Sequence, residues 1–429
     1  MNNGGLAYDQ APPFIAPLTL YLAAPAFLLV AALAGMVLLP DWLDSRWNPA
    51  TLGLTHLITL GFLGLSMCAS LLQMLPVVIG APVPAVRWVA SITLIGLGLG
   101  TPALTWGLWQ SDPAWLDVAI VLLPLGFTVF IGAVMLSLWH ARSWVLLRVP
   151  LLFSAIALLL TLLLGIALTG TLGGHWVVPD MTDFTHLHLA WGLMGWTLVL
   201  VIGVSWQVVP MLQLTPTYPI RPGYTIVGVL FIALCLLTLG WLPPLATLLC
   251  CGAALAYALI TQQLYRERRR KLSDATLNFW RVAMANLILS AALLALRQTA
   301  PQDWHDTLDL LLGLSFLLGF AASVVCGMAY KIVPFLCWFH LQAQHTARKN
   351  AGESITNTQP GMKAFISDLA ARQQFQTWGI ALAMLLPAPL LPPAASTPGL
   401  VMLALSALQL WRNLWHAARR FRQEGGSLF

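Results

Sequence analysis

Acidic side chains are scarce in this chain. Charged residues make up 8% of its 429 positions, against roughly a quarter in an ordinary soluble domain. The three glutamates, Glu267, Glu353 and Glu424, all fall outside the long apolar runs, and the nearest aspartates, Asp117 and Asp309, stand at the edges of those runs. Proton pumping and proton-coupled transport rest on carboxylates at membrane depth, so the shortage argues against both. No Cys-x-x-Cys occurs. The six cysteines (Cys68, Cys235, Cys250, Cys251, Cys326, Cys337) lie inside or at the ends of apolar runs, which reads as small buried hydrophobes. A phosphate-cradling glycine loop, a Ser/His/Asp set able to share one site and a basic-aromatic RNA-binding stretch are missing as well.

Apolar residues fill the space: 59% of the chain is hydrophobic. Runs of about 20 residues, enough to cross a hydrocarbon core of about 30 Å, fit twelve times. They lie near 14–39, 50–79, 86–110, 114–140, 145–170, 185–213, 222–241, 243–264, 276–297, 308–336, 373–393 and 398–418. No basic n-region precedes the first, which argues against a cleaved signal peptide. With twelve spans, only Arg46 and Arg297 of 21 Lys and Arg fall on the odd-loop side, whereas Arg266, Arg268, Arg269, Arg270, Lys271, Arg419, Arg420 and Arg422 crowd the even side. The positive-inside rule then makes both termini cytoplasmic, in a bacterial inner membrane. The net charge of +6 describes a face beside anionic membrane lipid, with no nucleic-acid partner implied. The polar segment from His340 to about Arg372 reads as a flexible cytoplasmic loop.

Two stretches repeat. His56-Leu-Ile-Thr-Leu-Gly61-Phe-Leu-Gly64 leads to Gln73-Met-Leu-Pro76, and His188-Leu-Ala-Trp-Gly192-Leu-Met-Gly195 leads to Gln207-Val-Val-Pro210. Each of these prolines is followed by a proline at +6 and an arginine at +11, Pro82 and Arg87 in one copy and Pro216 and Arg221 in the other. A fainter third copy runs from Gly319 to Lys331-Ile-Val-Pro334. The three prolines are 134 and 124 residues apart, four spans each time. The chain therefore reads as one integral membrane domain of three parallel four-helix repeats, about 14–140, 145–264 and 276–418, related by an axis along the membrane normal.

His56, His186 and His188 sit one or two turns below the outer surface in this topology. An intramembrane imidazole is costly unless bonded or ligated, and neutral histidine ligates haem iron and copper. A histidine bonded to a neighbouring helix or to interfacial water is the competing reading, and recurrence in two copies raises ligation to parity with it. His186 and His188 point about 200° apart on a helix, so they do not share one small site. Gln73, Gln207 and Lys331, each three residues before its proline, suit an architectural role. Their side chains can satisfy the carbonyl that Pro76, Pro210 or Pro334 frees one turn back. Lys331 can instead snorkel or pair with an anionic ligand. His140, His175, His340, His345 and His416 read as solvated.

Twelve helices in three parallel units, with histidines near the outer ends of helices 2 and 6, resemble the haem-copper oxidase subunit I fold. The layout is most similar to the NnrS branch, where helix 2 carries a His-x-His-Glu-Met-x-x-Gly-Phe type motif and helix 6 a His-x-x-x-Gly-x-x-Gly motif. His56 with Gly61-Phe62 matches the first in part, and His188-x-x-x-Gly192-x-x-Gly195 matches the second better. The resemblance implies haem b or copper held by His56 and one of His186 or His188 between the first two units. Its context would be nitric oxide response, respiratory-chain support or metal handling, with partners among respiratory-chain or nitric oxide metabolism proteins. Helix 7 has no histidine pair and helix 10 carries Leu312 or Leu314 where ligands would stand, with only His305 nearby. A binuclear centre reducing oxygen or nitric oxide is therefore not expected. A permease without a cofactor and a degenerate structural subunit of a respiratory complex remain the alternatives.

Overall fold

The computed structural model describes residues 12–141, 146–269, 274–351 and 360–427, all of them in helices, turns and connections without a strand. Arg270 and Lys271, assigned above to the even side, and Glu353, placed outside the apolar runs, lie outside the described residues. Twelve long helices follow in order: α1 (Ile15–Val37), α2 (Pro49–Val77), α3 (Val86–Gln110), α4 (Pro113–His140), α5 (Arg148–Leu172), α6 (Met181–Gln213), α7 (Ile220–Thr238), α8 (Pro243–Arg266), α9 (Ala275–Arg297), α10 (Gln302–Asn350), α11 (Asp368–Leu385) and α12 (Thr397–Gln423).

Eleven of these are long and apolar enough to cross a membrane, and the chain is a multi-pass membrane protein. The exception is α11, whose first turns carry Asp368 and Arg372; it stands at the span expected over 373–393 but ends at Leu385, ahead of the short turns Ala388–Leu390 and Pro393–Ser396. A second difference concerns α10. It runs on through Asn350, so the segment expected as loop from His340 begins helical, and His345, expected to be solvated, is buried. Helix formers such as Leu341, Gln342, Ala343 and Gln344 extend it, and the chain's end holds it: Gln344 Nε2 donates to Ser427 O at 2.9 Å and Arg348 Nη2 to Gly425 O at 3.1 Å.

Helices from α1 to α10 pack side by side in chain order, α11 packs on α12 and α9, and α12 packs against α1, which closes the ring. Helices α2 and α10 lie innermost: 72% of the residues in their apolar windows are buried, against 33% for α7. Exposed tryptophans form two belts of the kind that mark membrane interfaces. Trp47, Trp106, Trp115, Trp176, Trp241 and Trp304 ring the end where α2 and α6 start, and Trp88, Trp139 and Trp415 ring the other.

Helices α2, α6 and α10 share a local departure from α geometry. Leu57–Gly64, Trp191–Leu198 and Ser315–Ala322 are wound as π-helix, and each begins 19 residues before Pro76, Pro210 or Pro334. Such wide turns are rare and concentrate at functional sites. A glycine lies at the same place in each, pressed against the helix before it. A side chain at Gly61 would run into Phe27, one at Gly195 into Ala157 and one at Gly319 into Asn286. Hydroxyls reach back five residues to carbonyls of the widened turns, Thr197 to Gly192 O at 3.0 Å and Ser323 to Leu318 O at 3.2 Å, so the looser winding leaves fewer bare acceptors.

Candidate functional site

Two N-caps start the helices that carry the histidines. The Asn48 side chain accepts from Ala50 N ahead of Pro49, and Asp180 accepts from Thr182 N and Asp183 N, which satisfies first-turn amides that would otherwise be bare. His56 and His188 follow two turns later, each just ahead of a π turn.

The structure brings these two together. Their ring centroids are 6.3 Å apart with planes 28° from parallel. His56 Nδ1 lies 2.7 Å from Leu52 O and His188 Nδ1 lies 3.0 Å from Thr161 O. A carbonyl only accepts, so both Nδ1 atoms carry the proton and both Nε2 atoms keep a lone pair. Gly165 on α5 makes room for the second ring, since a Cβ there would sit 3.1 Å from His188 Cε1. Both histidines are half-buried and line a cavity of 1040 Å³, at the top of the range for small-molecule sites.

His186 does not join them. It is exposed, and its Nε2 lies 2.5 Å from Arg46 Nη2 at the rim of the same cavity. Arg46 also lies over the Trp47 ring at 4.4 Å, and its Nε stands 3.1 Å from Asp309 Oδ2. Arg297 grips Asp309 from the other side through Nε and Nη2. Burial lowers the Arg46 guanidinium from its ordinary value and the Asp309 carboxylate opposes that shift. The two basic residues singled out as lone cations of their face thus share one buried carboxylate. Their scarcity was the signal for this cluster; no local motif marks it, nor marks Thr161 and Gly165 behind His188.

The residues before the prolines stand in three different environments. Gln73 is buried and neither of its amide atoms has a hydrogen-bond partner, so it does not satisfy the carbonyl freed by Pro76. Gln207 is exposed. Lys331 Nζ bonds Asp274 Oδ2 at 2.8 Å, a carboxylate that also caps α9 by accepting from Leu277 N. Pro76, Pro210 and Pro334 all lie within continuing helices. His305 bonds Ala300 O at 3.1 Å, and His175 pairs with Asp117 at 2.5 Å.

Chemically, the site offers two anchored neutral imidazoles in an apolar chamber with threonine hydroxyls on its wall. An imidazole whose second nitrogen is tied to a backbone carbonyl is the usual form of a metal-bound histidine. Two metal–nitrogen bonds of about 2.0 Å each span a separation of the same order as the 6.3 Å between the ring centroids. Among the described residues no group of three or more His, Cys, Asp or Glu gathers around a common point. No family model matches the chain, and no curated protein matches it.

Proposed function

We propose that this chain is a non-pumping, haem- or copper-binding protein of the bacterial inner membrane, related to haem-copper oxidase subunit I and most similar in layout to the NnrS branch. It would act in nitric oxide response, respiratory-chain support or metal handling. The observation that carries the reading is the facing pair His56 and His188, each with Nδ1 tied to a backbone carbonyl and Nε2 left for a ligand. The cavity favours haem b over bare copper, because 1040 Å³ is far more space than one ion needs. A haem held by His56 and His188 would supply one-electron transfer. Within this reading, His56 and His188 bind, the carbonyls of Leu52 and Thr161 orient them, and the apolar wall excludes water.

Layout supports the relationship. Three four-helix units, with both termini cytoplasmic, account for the equal spacing of π turns and prolines, for the matching contacts of Gly61, Gly195 and Gly319, and for the closing contact of α12 with α1. The apolar helices imply contact with membrane lipid.

The test is an absorption spectrum of the purified protein from haem-replete cells, with iron and copper analysis. A Soret band lost in His56→Ala and in His188→Ala, but kept in His305→Ala, is the expected result. A colourless, metal-free preparation would sink the proposal and favour the permease.

A further inference from the structure

The connection between α1 and α2 crosses the rim of the cavity. Trp42, Arg46 and Trp47 from it line the opening. Its hold on its own helices is tight and local: Trp42 Nε1 donates to Gly35 O at 3.0 Å, and Thr51 Oγ1 donates to Trp42 O at 2.9 Å and to Ser45 O at 2.8 Å. Its hold on the rest of the molecule is different in kind. Ser45 Oγ donates to Asp306 Oδ1 at 2.6 Å, Arg46 reaches His186 on α6, and Arg46 reaches Asp309 on α10. The first two of these are exposed side-chain contacts, where exchange for water hydrogen bonds costs little, and the third ends on the buried Asp309 carboxylate.

A segment anchored to its own two helices through backbone acceptors and latched to distant helices by side chains has the construction of a lid. We propose that residues 41–48 form the access lid of the cavity, hinged on α1 and α2, with Arg46 as the latch that ties it to α6 and α10. Two details fit that role. Asp309 keeps Arg297 as a partner when Arg46 leaves, so opening strands no buried carboxylate. Trp47 beneath the Arg46 guanidinium gives the released side chain an aromatic face to rest on. The lid shares the cavity with the function proposed above but rests on no cofactor.

The experiment measures the labelling rate of T59C by methanethiosulfonate ethylsulfonate in purified full-length protein, read at position 59 by peptide mass spectrometry. Thr59 lines the cavity beyond the lid. Adding R46A is expected to raise the rate about tenfold or more, the loss of charge-assisted hydrogen bonds. Adding S45C and D306C, whose parent side chains touch, is expected to lower it at least about tenfold when oxidised and to restore it on reduction. Equal rates with and without R46A, no labelling in either, or undiminished labelling in the oxidised cross-linked protein would each overturn the lid. The readout works in a colourless protein too, so loss of the haem reading and loss of the lid are separate results.

Discussion

At the scale of residues, the site depends on what stands behind each imidazole. Gly165 sets where the His188 ring lies, because any side chain there would meet Cε1. Gly165→Val is expected to push the ring off Thr161 O and weaken metal or haem binding by about 10- to 100-fold, the range for lost orienting partners. Gly132→Val, at a position with nothing within 4 Å, is the control. Haem titration by absorbance distinguishes them, and equal affinities would remove Gly165 from the site. The histidines themselves were readable as candidates, and so was the opposed direction of His186 and His188. Which of the two meets His56 was not readable, because that depends on how α6 is rotated against α2. Arg46, Thr161 and Asp309 belong to the site through tertiary approach across 27 to 263 positions of sequence, which no local pattern records.

At the scale of elements, helix existence followed from apolar length, and most boundaries lie within a few residues of expectation. The π turns did not, since a widened turn leaves hydrophobicity unchanged and its glycines read equally well as packing sites. Gly195→Leu is expected to destabilise the protein by about 1–3 kcal/mol through overpacking, because a Cβ there already lies 2.7 Å from Ala157 Cβ. Thermal unfolding in detergent measures it. The start of α9 carries a pH dependence. Burial raises the Asp274 carboxyl, and the hydrogen bonds from Lys331 and the Leu277 amide, with the Lys331 and Arg268 charges, outweigh that and hold it below its ordinary value. A carboxyl depressed on folding stabilises fully above its unfolded value of about 3.9 and loses that contribution as pH falls through the folded one. Asp274→Asn keeps the cap but loses the charge that faces Lys331, so it should lower stability at neutral pH by about 0.2–1 kcal/mol, and the gap from the parent should close on acidification. A gap independent of pH would assign the loss to packing instead.

At the scale of the whole molecule, the polar cluster at the rim is where distant parts of the chain are tied together. Asp309 is 6% exposed between two guanidiniums, one from the α1–α2 connection and one from α9. Asp309→Ala leaves two like charges facing each other in a part-buried site. The expected loss is about 3–5 kcal/mol, the cost of breaking a buried ion pair on one side, and Arg46→Ala made in addition should recover part of it. Strictly additive losses in the double mutant, read by thermal unfolding, would mean that the two do not act through one another.

The meeting of His56 and His188 has a numerical consequence. Counted back from Pro76 and Pro210 they stand at 20 and 22 residues, two positions out of step, or about 200° of rotation and about 3 Å of rise. Rings that face each other at 6.3 Å despite that mismatch are not equivalent members of a repeated pattern; one is the socket and the other the plug. Such a junction does not propagate around a ring, and α10 brings leucines to both positions, Leu314 and Leu312. A ligand gripped by this pair would have one such seat per chain, not three.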